Sequence, residues 1–166
     1  MSNINWTKWS SIAEIISSIA ILVTLAYLAI QTQQNTNQLK SQSRLGLFEM
    51  GVQEFPVWIE YPELTMFILD NDLEMNLEQK IRLDSLLILA ISRREFAWFE
   101  FQAGILDQET WNAELETISL ILGAERTRDW WNKIAKFNYD EDFASVISST
   151  IEGKPYHPYW ENLANW

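Results

Sequence analysis

The feature that most constrains this 166-residue chain is one apolar stretch near its amino terminus, IAEIISSIAILVTLAYLAI, residues 12 to 30. As a helix it would be about 28 Å long at about 1.5 Å per residue, close to the ~30 Å hydrocarbon core of a bilayer. Trp6 and Trp9 precede it and Tyr27 lies near its far end, where amphipathic rings settle at headgroup level. We therefore predict a retained signal anchor that crosses the membrane once. A cleaved signal peptide is the alternative, because small residues alternate in LAYLA, residues 25 to 29.

The basic residues that flank this segment predict its orientation. Lys8 and the amino terminus lie on one side, and Lys40 and Arg44 lie on the other. Basic residues favour the cytoplasmic side, so this count predicts a cytoplasmic C-terminal domain.

Polar residues recur within the apolar segment at intervals of seven: Ser10, Ser17, Thr24, Gln31 and Gln38. They form one stripe on a helix, because a heptad drifts by only about 20°. Glu14 lies one turn from Ser10 and Ser17 on the same side, and Ala13 and Ala20 add small residues that let membrane helices approach closely. We predict that Glu14, Ser17, Thr24, Gln31 and Gln38 form a helix interface or line a wet pore axis.

Three other interpretations of these residues remain open. Ser11 and Glu14 match the S-x-x-E capping box, which would place Glu14 at a helix end. Serine and threonine also bond to backbone carbonyls one turn back and then need no partner helix. The uncharged run QTQQNTNQ, residues 31 to 38, is either a stalk that pairs between copies or a spacer.

The remainder of the chain predicts an all-α class, because it has no strand alternation and no Asn-Gly hairpin. Apolar residues at positions 45, 47, 48, 52, 55 and 58 suggest that the first helix continues until Pro56 stops it. Five further helices are expected, each with its own start signal: after Pro62, at the Asn76 and Gln79 capping box with an end at Gly104, after Asp107, from Arg126 to Phe137, and after Asp140.

We therefore divide the chain into a membrane helix with a polar stalk (residues 1–40), an acidic helical bundle (41–152) and an aromatic tail (153–166). The tail, KPYHPYWENLANW, has almost no helical period and is either disordered or strapped across a neighbouring surface by its rings. Residues 41–166 carry 22 acidic and 10 basic residues, a net charge of −12. Such a charge disfavours nucleic acid and anionic lipid headgroups as partners of this domain.

The sequence offers no recognisable catalytic or metal-binding constellation. Cysteine is absent, which excludes thiol catalysis and thiolate metal sites. The single histidine, His157, lies between prolines in the tail, and the acidic run at Asp70, Asp72 and Glu74 has Met75 where a calcium loop needs glycine. We predict a non-enzymatic protein without cofactor or metal.

Two clusters combine charges with rings. In SRREFAWFEF, residues 92 to 101, Arg93 and Glu95 lie among rings such as Trp98. We expect Glu95 and an arginine of this run to form an internal salt bridge that fixes packing, with a polar pocket or subunit contact as the alternative. In ERTRDWW, residues 125 to 131, Arg128 with Trp130 and Trp131 suits stacking and cation–π contacts. With Trp111, these residues are predicted to serve domain packing or an interface.

Three motifs follow one another along the chain: EIISSIAILVTLAYLAIQTQQNT, AGIL-D-x-x-x-W and R-D-W-W. In these motifs the chain resembles a broad group of small bacterial membrane-anchored proteins of unknown function, and the resemblance covers most residues up to about 150. The recurring positions are Glu14, Tyr27, Gln31, Asn35, Thr36, Glu95, Gly104, Leu106, Asp107, Trp111, Arg128, Trp130, Trp131 and Phe143. Members usually carry a basic residue between Gln31 and Asn35, where this chain has none. The layout is also similar to that of type VI CRISPR accessory proteins, which form membrane pores.

These resemblances imply a location in the bacterial inner membrane and assembly into a ring. The leading hypothesis is a homo-oligomer whose N-terminal helices associate side by side around the polar stripe, in a ring that could conduct when open. The alternative is a membrane-anchored interaction module whose tryptophan-rich domain binds a protein or small-molecule partner.

Overall fold

A computed structural model describes residues 6–166, and all regular structure in this range is helical, which confirms the all-α prediction. Seven α-helices follow one another: α1 (Trp6–Glu60), α2 (Glu63–Leu69), α3 (Leu77–Gln102), α4 (Gln108–Ile121), α5 (Glu125–Trp130), α6 (Glu141–Ile151) and α7 (Pro158–Ala164). A π-helical turn (Trp131–Ala135) and a 3₁₀ turn (Lys136–Asn138) connect α5 to α6.

The chain divides into two compact units, Met1–Ser41 and Gln42–Trp166. The first unit consists of the N-terminal part of α1, and the second contains the rest of α1 with all the other helices. The predictions that concern the side chains of Trp6 and Lys8 lie outside the described part of the structure.

Pro56 lies inside α1 and does not end it, so the predicted stop at Pro56 was wrong. A proline removes one backbone hydrogen bond and crowds the preceding turn, which is unfavourable in a helix interior. Here α1 continues for only one more turn, and Val57 and Trp58 in that turn pack against the core. Tertiary packing therefore offsets the local cost of the proline.

The predicted helix starts in the second unit are confirmed where they rest on side-chain caps. The Asn76 side chain accepts from the Gln79 backbone N–H and the Gln79 side chain accepts from the Asn76 N–H, both at 2.9 Å. Asp107 accepts from the Thr110 N–H at 2.8 Å, and Asp140 accepts from the Phe143 N–H at 3.1 Å. Each cap satisfies a backbone donor that the first helical turn leaves free.

Gly104 follows the end of α3 with φ of +72°, the left-handed conformation that favours glycine after a helix. This placement agrees with the predicted helix end there. The hydrophobic core lies around α3, where eight residues are buried: Leu83, Leu86, Leu87, Ala90, Ile91, Arg94, Ala97 and Trp98.

The predicted helix from Arg126 to Phe137 is interrupted. The α-helix ends at Trp130, and a π-helical turn buries Trp131 and Ala135 while leaving Ile134 exposed. The Trp131 indole N–H donates to the Ser148 hydroxyl at 3.2 Å, which ties this turn to α6. Wider turns of this kind are rare and cannot be read from helical periodicity.

The aromatic tail is docked and partly helical, so of the two interpretations, disorder and docking, the structure shows docking. Pro158 occupies the first position of α7, and the His157 ring Nδ1 accepts from the Tyr159 N–H at 3.2 Å. The His157 N–H donates to the Gly123 carbonyl at 2.8 Å, and the Trp160 indole N–H donates to the Leu120 carbonyl at 2.7 Å. Both contacts hold the tail against the C-terminal end of α4.

Candidate functional site

The N-terminal part of α1 presents a long apolar surface. Every residue from position 9 to position 39 is exposed, and the aliphatic side chains between Ile12 and Ile30 are 48 to 65% exposed. Among the described residues, α1 is the one helix that is long and apolar enough to cross a membrane. Exposure of an apolar surface of this extent to water is unfavourable, and no other described part of the chain packs on it. The surface therefore requires lipid or another protein molecule against it.

The capping-box interpretation of Ser11 and Glu14 was wrong. The helix already includes Trp6, five residues before Ser11, so Ser11 and Glu14 lie inside it rather than at its first turn. Glu14 is exposed, and its backbone carbonyl accepts from the Ser18 hydroxyl at 2.9 Å. Glu14 therefore remains on the same side of the helix as the polar stripe, one turn from Ser17.

Several hydroxyl groups of α1 donate to backbone carbonyls one turn back, as expected from the sequence for serine and threonine in a helix. Thr24 donates to the Ala20 carbonyl at 2.8 Å, and Thr32 donates to the Leu28 carbonyl at 2.9 Å. These internal bonds satisfy the hydroxyl donors without a water molecule or a partner helix. Thr24, the stripe residue of these two, therefore needs no water molecule at a close helix–helix contact.

The amide run after Ile30 is helical and forms bonds between successive turns. Gln31 donates to the Tyr27 hydroxyl at 3.1 Å, and Gln33 donates to the Asn37 side-chain oxygen at 3.3 Å. Gln38 is exposed, as the other predicted stripe residues are. The run thus extends the helix beyond the apolar segment.

The second unit contains a buried network of two arginines and two glutamates. Arg94 Nη1 lies 3.1 Å from Glu54 Oε1 and donates to the Ala90 carbonyl at 2.7 Å. Arg94 Nε lies 3.3 Å from Glu114 Oε2, and Arg93 Nη2 lies 3.2 Å from Glu114 Oε1. The four side chains are only 3 to 18% exposed, so solvent screens these ion pairs weakly.

The electrostatics of the network follow from burial and from its balanced charge. Burial lowers the pKa of Arg94 from its ordinary value, and the neighbouring carboxylates of Glu54 and Glu114 oppose that shift. Two positive and two negative charges cancel, so the cluster attracts neither anions nor cations strongly at a distance. This balance favours a structural role, in which the network fixes α1, α3 and α4 against one another.

Gly51 makes room for the network on the α1 side. A Cβ atom at this position would lie 3.0 Å from Arg93 Nη1 and 3.2 Å from Arg93 Cζ. The absence of a side chain therefore lets the guanidinium group pack directly against the helix backbone.

Arginines of this region do form internal salt bridges, but the prediction that Glu95 is their acid was wrong. Glu95 instead accepts from the backbone N–H of Asp140 at 2.8 Å, just before α6 begins. The acids that pair with the arginines, Glu54 and Glu114, were missed. A signal for Glu114 exists, because it follows Trp111 by three residues and precedes Ile118 by four on the buried face of α4.

The predicted stacking of arginines on tryptophans in ERTRDWW was also wrong. Arg128 lies over the Tyr156 ring at 4.9 Å and donates to the Lys154 carbonyl at 2.8 Å, so it holds the tail. Arg126 donates to the Asn71 carbonyl at 2.7 Å and to the Leu73 carbonyl at 2.8 Å, in the loop after α2. Both arginines donate to backbone carbonyls in segments that lie between helices.

The four tryptophans predicted to serve packing are all buried in the second unit. Trp111 stacks on Phe101 with ring centroids 5.7 Å apart, and Trp98 lies 6.1 Å from Phe143. Trp130 donates to the Asp84 carboxylate at 2.7 Å. With Trp131 bonded to Ser148, these residues serve the domain core and not an exposed surface.

Two cavities open on the second unit. One, of about 570 Å³, lies beside the charge network and is lined by Glu54, Arg93, Arg94, Thr117, Trp58 and Trp160. The other, of about 550 Å³, lies between α3 and the segment around Trp130. Both volumes fall in the range of small-molecule sites, and the first combines apolar walls with a few charged groups.

Within the part of the chain that the structure describes, no group of three or more histidine, aspartate or glutamate side chains is suited to hold a metal ion. The His157 ring caps α7 and therefore has a structural role.

Scans against protein-family models and searches of curated proteins and of solved structures found no match to this chain.

Proposed function

We propose that this protein is a single-pass membrane protein, without catalytic activity, that assembles into a homo-oligomer through the N-terminal part of α1. The observation that carries the proposal is the exposed apolar surface of α1 between Ile12 and Ile30. Lipid covers most of such a surface once the helix spans a bilayer. The polar stripe within it is what favours a second helix.

The stripe suits helix association for two reasons. Ser17 lies between Ala13 and Ala20, and such small residues allow the backbones of membrane helices to approach closely. The internal bond of Thr24 removes the need for water at the contact. Exposure of Gln31 and Glu14 to lipid would be unfavourable, and association relieves it.

The proposal includes a location and an orientation. We place the protein in a bacterial inner membrane with the second unit in the cytoplasm, because Lys40 and Arg44 follow the apolar segment. The acidic charge of the second unit keeps it away from anionic headgroups, so contact with the membrane is left to α1.

Paired leucine substitutions test the assembly. Ser17→Leu with Thr24→Leu places bulky side chains on the stripe, whereas Ala26→Leu with Ala29→Leu adds similar bulk on another side of the helix. We expect the first pair to shrink or abolish the oligomer in mild detergent and the second pair to leave its mass unchanged. A simple tether would tolerate both pairs, because leucine suits lipid.

The pore implied by the resemblance stays a prediction, and Glu14 is the residue that carries it. If Glu14 lines a water-filled axis, then Glu14→Gln should alter cation passage in reconstituted bilayers, because it removes a negative charge from the path. Equal currents from both proteins would contradict a pore lined by Glu14. No current from either protein would contradict a conducting axis and leave a closed helix contact.

The cavity beside the charge network favours a second function, that of a membrane-anchored binding module. Trp58 and Trp160 supply its apolar walls, and Arg93 with Glu54 supplies polar groups that could orient a small molecule. Native mass spectrometry of the purified protein should then show an adduct of a few hundred daltons. Thr117→Trp, which fills the cavity, should remove that adduct; an adduct of equal abundance in the variant would count against this function.

A further inference from the structure

A second exposed apolar surface lies on α1 within the second unit. Five side chains are half or more exposed there, and we name them the outer stripe: Leu45 (56%), Phe48 (67%), Val52 (50%), Phe55 (67%) and Ile59 (78%). The buried residues of the same helix segment, Leu47, Gly51 and Glu54, lie on a different side, against the domain. This part of α1 therefore has one face packed in the domain and another that is bare.

The spacing of the outer stripe is that of a coiled-coil seam. Its members are separated by three, four, three and four residues, which is the alternation of positions a and d in a heptad. Leu45, Val52 and Ile59 take position a, and Phe48 and Phe55 take position d. A seam of this kind fits a second helix that runs alongside over four turns.

The outer stripe has the same heptad register as the polar stripe. Counting back in sevens from Leu45 gives Gln38, Gln31, Thr24 and Ser17. Position a is therefore polar in the membrane segment and in the stalk, as far as Gln38, and apolar from Leu45 onward. Close packing of small residues drives helix association in lipid, whereas burial of apolar residues drives it in water. A helix that associates with a neighbour along both segments therefore changes its residue type at position a.

We infer that the outer stripe is a docking surface for the outer stripe of a neighbouring copy of this chain, with the two α1 helices parallel. The inference rests on the proposed function, because it extends the same association beyond the membrane segment. Lipid is a poor occupant, since the net charge of −12 on the second unit opposes contact with anionic headgroups. The tail is also a poor occupant, because His157 and Trp160 hold it against the C-terminal end of α4.

The absence of cysteine allows a clean test by disulfide cross-linking. Val52→Cys places a thiol at position a, and Gln53→Cys places one at the adjacent exposed position, outside the seam. In isolated membranes oxidised with copper phenanthroline, we expect several-fold more covalent dimer from the Val52→Cys protein, because parallel a positions bring their Cα atoms within disulfide range. Equal yields from the two variants would overturn the inference.

Thr24→Cys, in the membrane segment, separates this inference from the proposed function. Cross-linking at position 24 with equal yields at 52 and 53 would overturn the docking of the outer stripe and leave the membrane association standing. Preferential cross-linking at position 52 without any at position 24 would support the outer stripe and contradict association through the membrane segment. No cross-linking at either position would overturn both.

Discussion

At the scale of single residues, Arg94 is the group whose environment departs most from that of an ordinary surface side chain. It is 3% exposed and lies against two glutamates that are themselves buried. A buried ion pair is weak evidence of net stabilisation, because desolvation offsets the attraction. Removing one partner of such a pair is strongly destabilising, because the remaining charge stays buried without an opposite charge beside it.

We expect Arg94→Met to destabilise the second unit by about 3 to 5 kcal/mol, because the substitution leaves Glu54 and Glu114 buried with only Arg93 as partner. The control is Lys133→Met, which removes an exposed pair with Asp129 and should cost less than about 0.5 kcal/mol. Thermal unfolding of the detergent-solubilised protein, followed by tryptophan fluorescence, measures both. Similar melting temperatures for the two variants would contradict the role assigned to the network.

Asp107 gives a prediction about pH. Its pKa is lowered to about 2, first by the hydrogen bond from the Thr110 backbone N–H, next by the Thr110 hydroxyl and then by Arg44. Because the pKa is lower in the folded chain than its ordinary value of 3.8, the ionised cap stabilises the fold above about pH 4. That contribution is lost as the pH falls towards 2.

We therefore expect Asp107→Asn to lower the melting temperature at pH 6, with a difference from the parent protein that narrows as the pH falls from 4 to 3. Asparagine retains the cap hydrogen bond but not the charge, so the cap geometry is preserved. Melting curves across this pH range provide the measurement. A difference that stays constant from pH 6 to pH 3 would show that the charge of Asp107 contributes nothing.

At the scale of helices, the sequence predicted local features well and tertiary ones poorly. The starts at Asn76, Asp107 and Asp140 were predicted because a cap depends on residues within one turn. The predicted end at Pro56 and the predicted cap at Ser11 were wrong, since α1 continues through both positions. In particular, packing of Trp58 on the core carries the helix past its proline.

The contact between α4 and the tail predicts a position where only glycine fits. A Cβ at Gly123 would lie 2.3 Å from the His157 Cβ and 2.6 Å from the Ser119 carbonyl oxygen. We expect Gly123→Ala to release the tail, seen as faster proteolysis after residue 152 and faster amide exchange at His157. The control, Gly46→Ala, has open space around its Cβ within α1 and should be neutral or stabilising by up to about 1 kcal/mol. Equal protection of the tail in both variants would contradict this account.

At the scale of the whole molecule, the sequence identified the candidate membrane segment and its polar stripe, because composition and a period of seven are visible along one helix. It did not identify the outer stripe. The sequence predicted a helix through Leu45, Phe48, Val52 and Phe55. It did not predict which side of that helix the rest of the domain buries and which side stays exposed. Glu54 was missed for the same reason, since its partner Arg94 is 40 residues away.

In the proposed assembly, α1 associates with the α1 helices of neighbouring copies. Small and polar residues would serve that association in the predicted membrane segment, and the outer stripe would serve it in the second unit. Within the second unit, the docked tail and the charge network leave the outer stripe exposed.

The most direct test is the mass of the full-length protein in mild detergent, measured by native mass spectrometry and corrected for bound detergent. The account predicts one defined oligomer, a whole multiple of 19.5 kDa, that becomes smaller in the Ser17→Leu, Thr24→Leu variant. A parent protein that is monomeric at every concentration tested would contradict assembly through α1, and function would then have to be sought in the cavity of the second unit.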